Sequence, residues 1–512
     1  MNLFDNPRSR NALLLAALAL HTLLWIFVPT WFQPNANLDV VEGVTWGMEW
    51  EFGYDKHPPL APWFTYLATL LSPGANWPIF LLAQVSVVAA LVGTYLVARR
   101  FVDSSSALIA CLMLTMVPYY NFMPPEFNVN FMETPLWAMI GFFGLRAINH
   151  DRMLDWILLG VFGGLAMLSK YFSVTVLFGV FAYFLTPHGW KHWRNKGMYV
   201  ALGCALLTWL PNLIWLIVHD FSSVNYGVAR GGGSEKELAD HFVYPAKFIV
   251  AQLLILIFML PAFFFALRGK KEERQPASQA SKADRTFLTC LTLGPIGVAL
   301  LISGSTGMEM RSMWGVPLFN FLPLWLIVFF GMRPVAQSGK TFMKVWSGVT
   351  VFIAFAFFAE MYLAPKFFDK SKKRAHFPGE AMAVEMTQEW DKRYSTPLDY
   401  VVGSIWIGGN MTYYSKYQPS ILYDADYSRS PWIDAEDFKT KGGLIVWNLS
   451  MDGEKQQYEA LLTQFPHAQI QPPKSYAWHL DTDKPPVEIA WAIIPPAGAA
   501  LATPTPPTPE LP

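Results

Sequence analysis

Long uninterrupted apolar runs constrain the fold of this chain more than any other feature of its sequence. One run near the N-terminus reads ALLLAALALHTLLWIFV, and another in the middle of the chain reads IVAQLLILIFMLPAFFFAL. Runs of about 18 or more such residues are typical of helices that span a bilayer, because a helix satisfies its own backbone polar groups in lipid. Charged residues make up only 15% of the chain. The sequence therefore predicts a polytopic α-helical membrane protein.

About eleven apolar runs predict transmembrane helices. They lie near 11–29, 79–98, 104–122, 132–148, 154–169, 172–187, 197–217, 246–267, 286–303, 316–331 and 343–362. Basic residues gather in alternate short connections, as at Arg99 and Arg100 and in the segment LRGKKEERQPASQASKADR. Since such residues stay preferentially in the cytoplasm, we expect a cytoplasmic N-terminus and an extracytoplasmic tail after the last span.

Composition divides the chain into a membrane part and a tail. We predict a membrane domain over 1–362, whose first outer loop, 30–78, contains short helices lying along the membrane surface. Over 363–495, strand-like runs such as YVVGSIWI and GGLIVWNL alternate with helix-like runs, which predicts a small α/β domain. The proline-rich end, 496–512, is predicted to be disordered.

The first outer loop, QPNANLDVVEGVTWGMEWEFGYDKHPPLAPWFTYLATL, carries the densest polar pattern. Asp39 and Glu42 are spaced i, i+3, so on a helix they share one face and could serve as a general base or as metal ligands. The alternative is that both are solvated loop charges. Lys56 and His57 precede a double proline, which fixes the backbone and would hold a cation for a phosphate. A plain turn with a snorkelling lysine is the alternative.

The other outer segments also carry ionisable residues, which we expect to converge on one cavity at the outer leaflet. Lys170 lies at the outer end of a short span, where a charge either snorkels or serves a site. A GGG run without a preceding strand indicates a mobile lid and not a nucleotide-binding loop. The remaining outer-segment residues are His219, Asp220, Arg230, His241, Glu309 and Arg311. In the tail, the acidic run YDADYSRSPWID lacks EF-hand spacing and is predicted to be a surface loop.

An acidic residue after the first span, followed by WGMEWEFGYDKHPPLAPW, resembles the GT-C glycosyltransferases of the bacterial family that includes protein O-mannosyltransferases and lipid A aminoarabinose transferases (family 39/83-like). The segments FNVNFMETPLWAM, GLAMLSKYF and PNLIWLIVHDFSSVNY are also similar to segments of that family. The resemblance implies a GT-C fold in the bacterial inner membrane. It also implies a sugar donor linked to a polyprenyl phosphate such as undecaprenyl phosphate, with transfer on the periplasmic side.

The same resemblance implies roles for individual residues. Asp39 would deprotonate the acceptor hydroxyl for an inverting displacement, with Glu42 as a helper, and Lys56 or His57 would neutralise the departing polyprenyl phosphate. Further donor-phosphate candidates are Lys170, Arg230 and Arg311, and candidates that line the substrate cavity are Tyr54, Trp63, His219, Asp220 and His241. The chain departs from the family pattern in two ways: Val40 and Val41 separate the acids, and His57 stands where the pattern has lysine.

The predicted function is transfer of a sugar to lipopolysaccharide, lipid A or another glycolipid. The alternatives are a transporter or flippase of polyprenyl-linked lipids and a non-enzymatic envelope assembly protein. A transporter would carry ionisable groups near the midplane and two related halves, whereas here these groups lie mostly at outer ends and no repeat is visible. The expected partners are the donor, a lipid-linked or glycan acceptor and membrane lipids, without nucleic acid. The sequence identifies no cofactor, and it leaves dependence on a divalent metal as an open alternative.

Overall fold

The computed structural model describes residues 7–232, 236–266, 280–330, 336–368, 373–450, 454–480 and 484–498. In the described part before residue 369, the α-helices are α1 (Pro7–Phe32), α2 (Leu38–Gly47), α3 (Leu60–Thr69), α4 (Trp77–Phe101), α5 (Ser104–Leu114), α6 (Val129–His150), α7 (Met153–Ser169), α8 (Val174–Phe184), α9 (Lys196–Val218), α10 (Ser222–Arg230), α11 (Asp240–Ile255), α12 (Met259–Ala266), α13 (Lys282–Thr306), α14 (Leu322–Phe330) and α15 (Ala336–Phe358).

Five helical stretches of the described chain are long and apolar enough to cross a membrane. They are Asn11–Phe32, Trp77–Phe101, Lys196–Val218, Lys282–Thr306 and Gly339–Phe367. A sixth crossing is added if Ser312–Phe319 and Leu322–Phe330, which are bent by 55°, form one broken span. Helices lie at all eleven predicted runs, but several are short or interrupted, as where α11 ends and α12 begins within the eighth run. The count of eleven crossings and their orientation stay predictions.

Small residues bring α7 and α9 into backbone contact. A Cβ atom at Gly160 would lie 2.1 Å from the carbonyl oxygen of Ala201, and one at Gly164 would lie 2.6 Å from that of Ala205. Small residues spaced i, i+4 commonly allow such close approach in membrane helices. The packing fixes the end of α7 beside the second half of α9, where the polar residues discussed below are found.

The chain divides into two compact units, each described here by itself. The membrane unit comprises Met1–Phe32, Trp50–Ala68 and Trp77–Met361, and the C-terminal unit comprises Gln33–Glu49, Thr69–Asn76 and Tyr362–Pro512. The first outer loop is therefore shared between the units, whereas the contiguous boundaries drawn from the sequence gave all of 30–78 to the membrane part. Residues 499–512, most of the predicted disordered end, lie outside the described residues.

The C-terminal unit contains a small mixed sheet, in agreement with the predicted α/β domain. Its strands are β1 (Tyr400–Gly403), β2 (Ser420–Tyr423), β3 (Gly443–Asn448), β4 (Gln469–Tyr476) and β5 (Val487–Ile494). Besides α2, its described α-helices are α16 (Gly379–Asp391), α17 (Ile405–Tyr414), α18 (Ala435–Lys441) and α19 (Glu454–Gln464). The order is β2-β1-β3-β5-β4; β1 pairs in parallel with β2 and β3, while β5 is antiparallel to β3 and β4.

The strand-like run YVVGSIWI is only half strand. Gly403 ends β1, and the Ser404 hydroxyl accepts a hydrogen bond from the Ile407 amide at 3.3 Å, which caps the start of α17. A serine is among the best N-cap residues because its side chain satisfies an amide that the first turn leaves without a partner. The apolar residues after Ser404 therefore continue as a buried helix, although β-branched residues alone favour a strand.

Candidate active site

Lys170 ends α7 and lies buried between polar and aromatic side chains. Its backbone is extended (φ −161°, ψ 138°), and the residue is 9% exposed. The ammonium donates a hydrogen bond to Asn130 Oδ1 at 2.6 Å and lies 4.7 Å from the ring centroid of Trp314 and 5.4 Å from that of Phe172. A buried cation needs such compensation, from a hydrogen bond and from aromatic faces. This burial disfavours the snorkelling alternative.

The turn that follows Lys170 is hydrogen-bonded to the side chain of Glu133, an acidic residue that the sequence analysis did not single out. The Ser173 hydroxyl donates to Glu133 Oε1 at 2.7 Å and accepts from the Trp137 indole N–H at 2.9 Å. Glu133 is fully buried and lies three residues after Asn130 on α6, so both project from one face. The signal was present in the sequence, because FNVNFMETPLWAM places polar residues and an acid in an apolar run, and such residues in a span commonly mark a functional site.

Lys56 and His57 lie in a closed turn beside Tyr226 of α10. The Tyr54 amide donates to the His57 carbonyl at 3.0 Å, and Pro58 and Pro59 are buried. The Lys56 ammonium lies 5.7 Å from the Tyr226 ring centroid, and the His57 ring packs edge-on against the same ring at 6.1 Å. The double proline therefore precedes a helix and follows a defined turn, as its sequence predicts.

The electrostatics of His57 bring the three basic residues into one cluster. Burial is the main cause that lowers the pKa of the imidazole to about 3, and the positive charges of Lys170 and Lys56 lower it further. His57 is consequently neutral near pH 7. The residues Lys56, His57 and Lys170 of the membrane unit are hereafter called the cation cluster, because the charges of both lysines act on the His57 imidazole.

Tyr54 and Trp63 flank the double proline on either side. Tyr54 is fully buried, while Trp63 is partly exposed and packs against Trp50 at 5.8 Å and Phe52 at 5.7 Å between ring centroids. Trp50 and Phe52 are each about half exposed (48% and 47%). Tyr54 belongs to the buried turn itself, and Trp63 belongs to an exposed aromatic group at the start of α3.

The remaining outer residues either make contacts with other segments or are exposed. His219 stacks on Trp215 with 4.1 Å between ring centroids, and His241 Nδ1 lies 2.8 Å from the Gly304 carbonyl. Arg311 lies 3.5 Å from a Glu309 carboxylate oxygen. Asp220 and Arg230 are exposed. The expectation that every outer residue converges on one cavity therefore stays a prediction for these five candidates: His219, Asp220, Arg230, His241 and Arg311.

The predicted lid is described only in part, because residues 233–235 lie outside the described chain. The Gly231 carbonyl accepts hydrogen bonds from the Lys236 ammonium at 2.6 Å and from the Glu309 amide at 3.1 Å. These bonds attach the start of the glycine run to the segment before Arg311. Whether the run moves during a reaction cycle stays a prediction.

Asp39 and Glu42 lie on helix α2, as their spacing predicts. Asp39 is partly exposed in the first turn, where the helix dipole favours a carboxylate, and Glu42 is buried at 5% exposure. Within the C-terminal unit, α2 packs on α17: a Cβ atom at Gly409 would lie 2.5 Å from Val41 Cγ1. The valines that separate the acids therefore include one that anchors α2, and the acids are presented by a helix and not by a flexible loop.

The described residues contain no group of three or more His, Cys, Asp or Glu side chains placed to hold a metal ion. In the acidic run of the tail, Asp434 accepts from the amides of Glu436 and Asp437 and so caps α18. Asp424 pairs with Arg429 at 3.0 Å. These aspartates have local structural partners.

Comparisons with known proteins show that the chain is similar to sugar transferases. Residues 56–215 match the family described as dolichyl-phosphate-mannose-protein mannosyltransferase. The lipopolysaccharide core galacturonosyltransferase RgtA of Rhizobium johnstonii (strain DSM 114642 / LMG 32736 / 3841) is 23% identical over 455 residues, which cover 86% of each chain. The lipid A galacturonosyltransferase RgtD of the same strain is 28% identical over 245 residues, which cover 45% of this chain and 49% of RgtD.

Two solved structures share the fold. ArnT from Cupriavidus metallidurans bound to undecaprenyl phosphate matches with a TM-score of 0.62 and 12% identity, covering 97% of this chain and all of that one. The apo form of the same protein matches with a TM-score of 0.58, covering 95% and 98% of the two chains. The GT-C fold predicted from the first outer loop is thereby confirmed.

Proposed function

We infer that this chain, a glycosyltransferase of the GT-C superfamily, transfers a sugar from a polyprenyl-phosphate donor to a lipid A or lipopolysaccharide acceptor. The curated relatives act on lipopolysaccharide core and lipid A by their names, and the structural neighbour binds undecaprenyl phosphate. Because both relatives are galacturonosyltransferases, a uronic acid is the first sugar to assay. We propose that the reaction takes place on the periplasmic side of the inner membrane.

The observation that carries the proposal is the cation cluster. The Lys170 ammonium is hydrogen-bonded to Asn130 at 2.6 Å and lies beside the Trp314 ring. Its positive charge and that of Lys56 both lower the pKa of His57. A phosphate that carries the leaving sugar gains negative charge as the glycosidic bond breaks. Fixed cations in a partly buried site stabilise that developing charge without reorganising, which is the usual source of a large rate enhancement.

We propose Asp39 as the general base, as the family resemblance implies. In an inverting displacement, the acceptor oxygen attacks the anomeric carbon, its proton passes to a carboxylate, and the electron pair of the broken bond stays on the polyprenyl phosphate. Asp39 is the better candidate of the two acids because it is partly exposed, whereas Glu42 is buried and better suited to orient its neighbours. Glu133, next to the Lys170 turn, is a further acid of the membrane unit to test.

The function can be tested with purified protein in nanodiscs, undecaprenyl-phosphate galacturonic acid as donor and a lipid A–core acceptor. Mass spectrometry should show the acceptor gaining one sugar residue while undecaprenyl phosphate is released. Asp39→Asn should slow turnover by about 10²–10⁴-fold, the range expected for a lost general base, and should still bind undecaprenyl phosphate. Full transfer by Asp39→Asn would refute the base assignment. No transfer with any uronosyl or neutral-sugar donor would refute the enzyme itself and favour a scaffold.

A further inference from the structure

We propose that Asn212 is a positioning residue that holds the segments of the cation cluster in their relative places, an inference that rests on the proposed function. Asn212 lies in α9, directly after Pro211, and is fully buried. It touches none of the three basic residues in the contacts described below. Its effect on the reaction would therefore act through the segments that carry Lys56 and Lys170.

A single amide group bonds to both of these segments. Asn212 Nδ2 donates to the Phe52 carbonyl at 2.7 Å, four residues before Lys56. Asn212 Oδ1 accepts from the Tyr171 hydroxyl at 3.0 Å, and Tyr171 directly follows Lys170. The same oxygen accepts from the Trp209 indole at 3.0 Å. The amide thus connects the Lys56 turn, the Lys170 turn and the body of α9.

The network continues to the helix that covers the Lys56 turn. The Tyr171 hydroxyl also lies 3.2 Å from the Ser223 hydroxyl of α10, and three residues later Tyr226 packs on Lys56 and His57. Asn212 therefore reaches α10 through one intermediate side chain. In the described contacts, the Asn212 amide and the Tyr171 hydroxyl together connect three segments, which contain Phe52, Tyr171 and Ser223.

Packing one turn further along α9 supports the same arrangement. Gly53 lies flat on the Trp215 ring, since a Cβ atom there would be 2.2 Å from the ring. Trp215 in turn stacks on His219. The Phe52 carbonyl is thus bonded to Asn212, while the Gly53 backbone packs directly on the Trp215 ring. The hydrogen bond fixes the position of this backbone along α9, and the glycine allows it to lie close to the ring.

The chemistry of the amide explains why asparagine suits this position. Its carbonyl oxygen has two acceptor positions and its nitrogen two donor positions, and three of the four are used here. A hydrophobic residue of similar size would leave the part-buried Phe52 carbonyl, Tyr171 hydroxyl and Trp209 indole N–H without this partner. Buried polar groups that lose a partner in an apolar surrounding relax towards other partners or water, which would displace the turns they belong to.

The inference is tested by Asn212→Leu, with Thr208→Val as the matched control. Thr208 lies one turn earlier on α9, and its hydroxyl bonds only locally, to the Cys204 carbonyl at 2.8 Å, in the contacts described. We expect Asn212→Leu to raise the donor KM, and the concentration of undecaprenyl phosphate needed for half-inhibition, by about tenfold. Folded protein, measured by size-exclusion chromatography, should stay monodisperse. Thr208→Val should match wild type in both constants.

Two further variants separate positioning from a loss of folding. Tyr171→Phe removes the bond to Asn212 and the contact with Ser223 but keeps the Asn212 bond to Phe52, so it should raise the donor KM by a smaller factor, about threefold. In the Lys56→Met background, Asn212→Leu should raise the donor KM by a smaller factor than it does alone, because only the route through the Lys170 segment remains. Fully additive effects would identify Asn212 as merely structural.

The outcomes distinguish this inference from the proposed function. If wild-type protein neither transfers sugar nor is inhibited by undecaprenyl phosphate, the proposed function fails. If wild-type protein does both and Asn212→Leu keeps an unchanged donor KM, the function stands and the positioning role is refuted. If Asn212→Leu does not fold, Tyr171→Phe decides the question: a donor KM equal to that of wild type refutes the positioning role.

Discussion

Lys170 and Arg230 both stand at the end of a helix in predicted outer segments, and both were predicted to bind the donor phosphate, yet their surroundings differ sharply. Lys170 is 9% exposed, bonded to Asn130 and walled by Trp314 and Phe172. Arg230 ends α10 in an exposed position. A charge that the fold surrounds with acceptors and aromatic rings is pre-organised, whereas an exposed charge must be ordered and desolvated when a ligand binds.

This difference predicts which basic residues control the reaction. A buried cation held in one geometry contributes more to a charged transition state than a mobile surface cation does, since solvent and salt screen the latter. The cation cluster should therefore dominate donor binding and turnover, and the outer arginines should matter little. The predictions below test that ranking from the largest effect to the smallest.

Removing the buried charge should have the largest effect. We expect Lys170→Met to lower kcat/KM for the donor by about 100-fold or more, because truncating one partner of a buried charged pair typically costs about 2–5 kcal/mol. The matched control is Arg230→Met, for which we expect a change of less than about threefold. Steady-state kinetics at several donor concentrations provide the measurement. Equal losses of kcat/KM in the two variants would show that the buried Lys170 contributes no more to the reaction than the exposed Arg230.

Within the cation cluster, Lys56 should matter more than His57. His57 is neutral near pH 7 because burial and the two lysines lower its pKa to about 3, so it supplies no positive charge. We expect Lys56→Met to raise the donor KM about tenfold and His57→Gln, which keeps a polar side chain, to change it by less than about threefold. The reverse order would assign the phosphate contact to the histidine.

The lowered pKa of His57 also predicts how stability depends on pH. Its pKa falls from 6.5 to about 3 on folding, so the unfolded chain binds a proton that the folded chain does not over the window between these values. Acidification from pH 6.5 towards pH 3 should therefore destabilise the fold, and His57→Gln should weaken this dependence. Thermal unfolding of the two proteins at pH 7.5 and pH 5 measures it. An identical shift of the midpoint in both would contradict the assignment.

The smallest effect should come from the outer ion pair. Arg311 and Glu309 lie 3.5 Å apart with side chains 42% and 35% exposed. Exposed pairs of this kind contribute about 0–1 kcal/mol. We expect Arg311→Gln to change kcat/KM by less than about threefold. The variant and the wild type should lose the same fraction of their activity in 0.5 M salt. A loss comparable to that of Lys170→Met would place Arg311 in the donor site after all.

The sequence predicted the features that depend on local patterns. Apolar runs located the helices, the aromatic-rich first outer loop predicted short helices such as α2, and the double proline predicted a fixed backbone at Lys56 and His57. It did not predict that α2 groups with the tail, because that depends on contacts with α17, more than 350 residues later along the chain.

The partners of Lys170 could not be derived from the sequence either. The contacts around Lys170 join residues that are 40 or more positions apart in the sequence. They are the contacts of Lys170 with Asn130 and Trp314 and the Ser173–Glu133 bond, and they depend on how the helices pack. The polar residues in FNVNFMETPLWAM were visible in the sequence. Only the packing of α6 and α7 shows that they surround a lysine.

The most direct test is a cryo-EM structure of the protein in nanodiscs with undecaprenyl phosphate. The account predicts phosphate density within hydrogen-bond distance of the Lys170 ammonium, about 2.7–2.9 Å for a charge-assisted bond, with Lys56 on its other side. Density for the phosphate beside Arg230 or Arg311, and not within hydrogen-bond distance of Lys170, would contradict it.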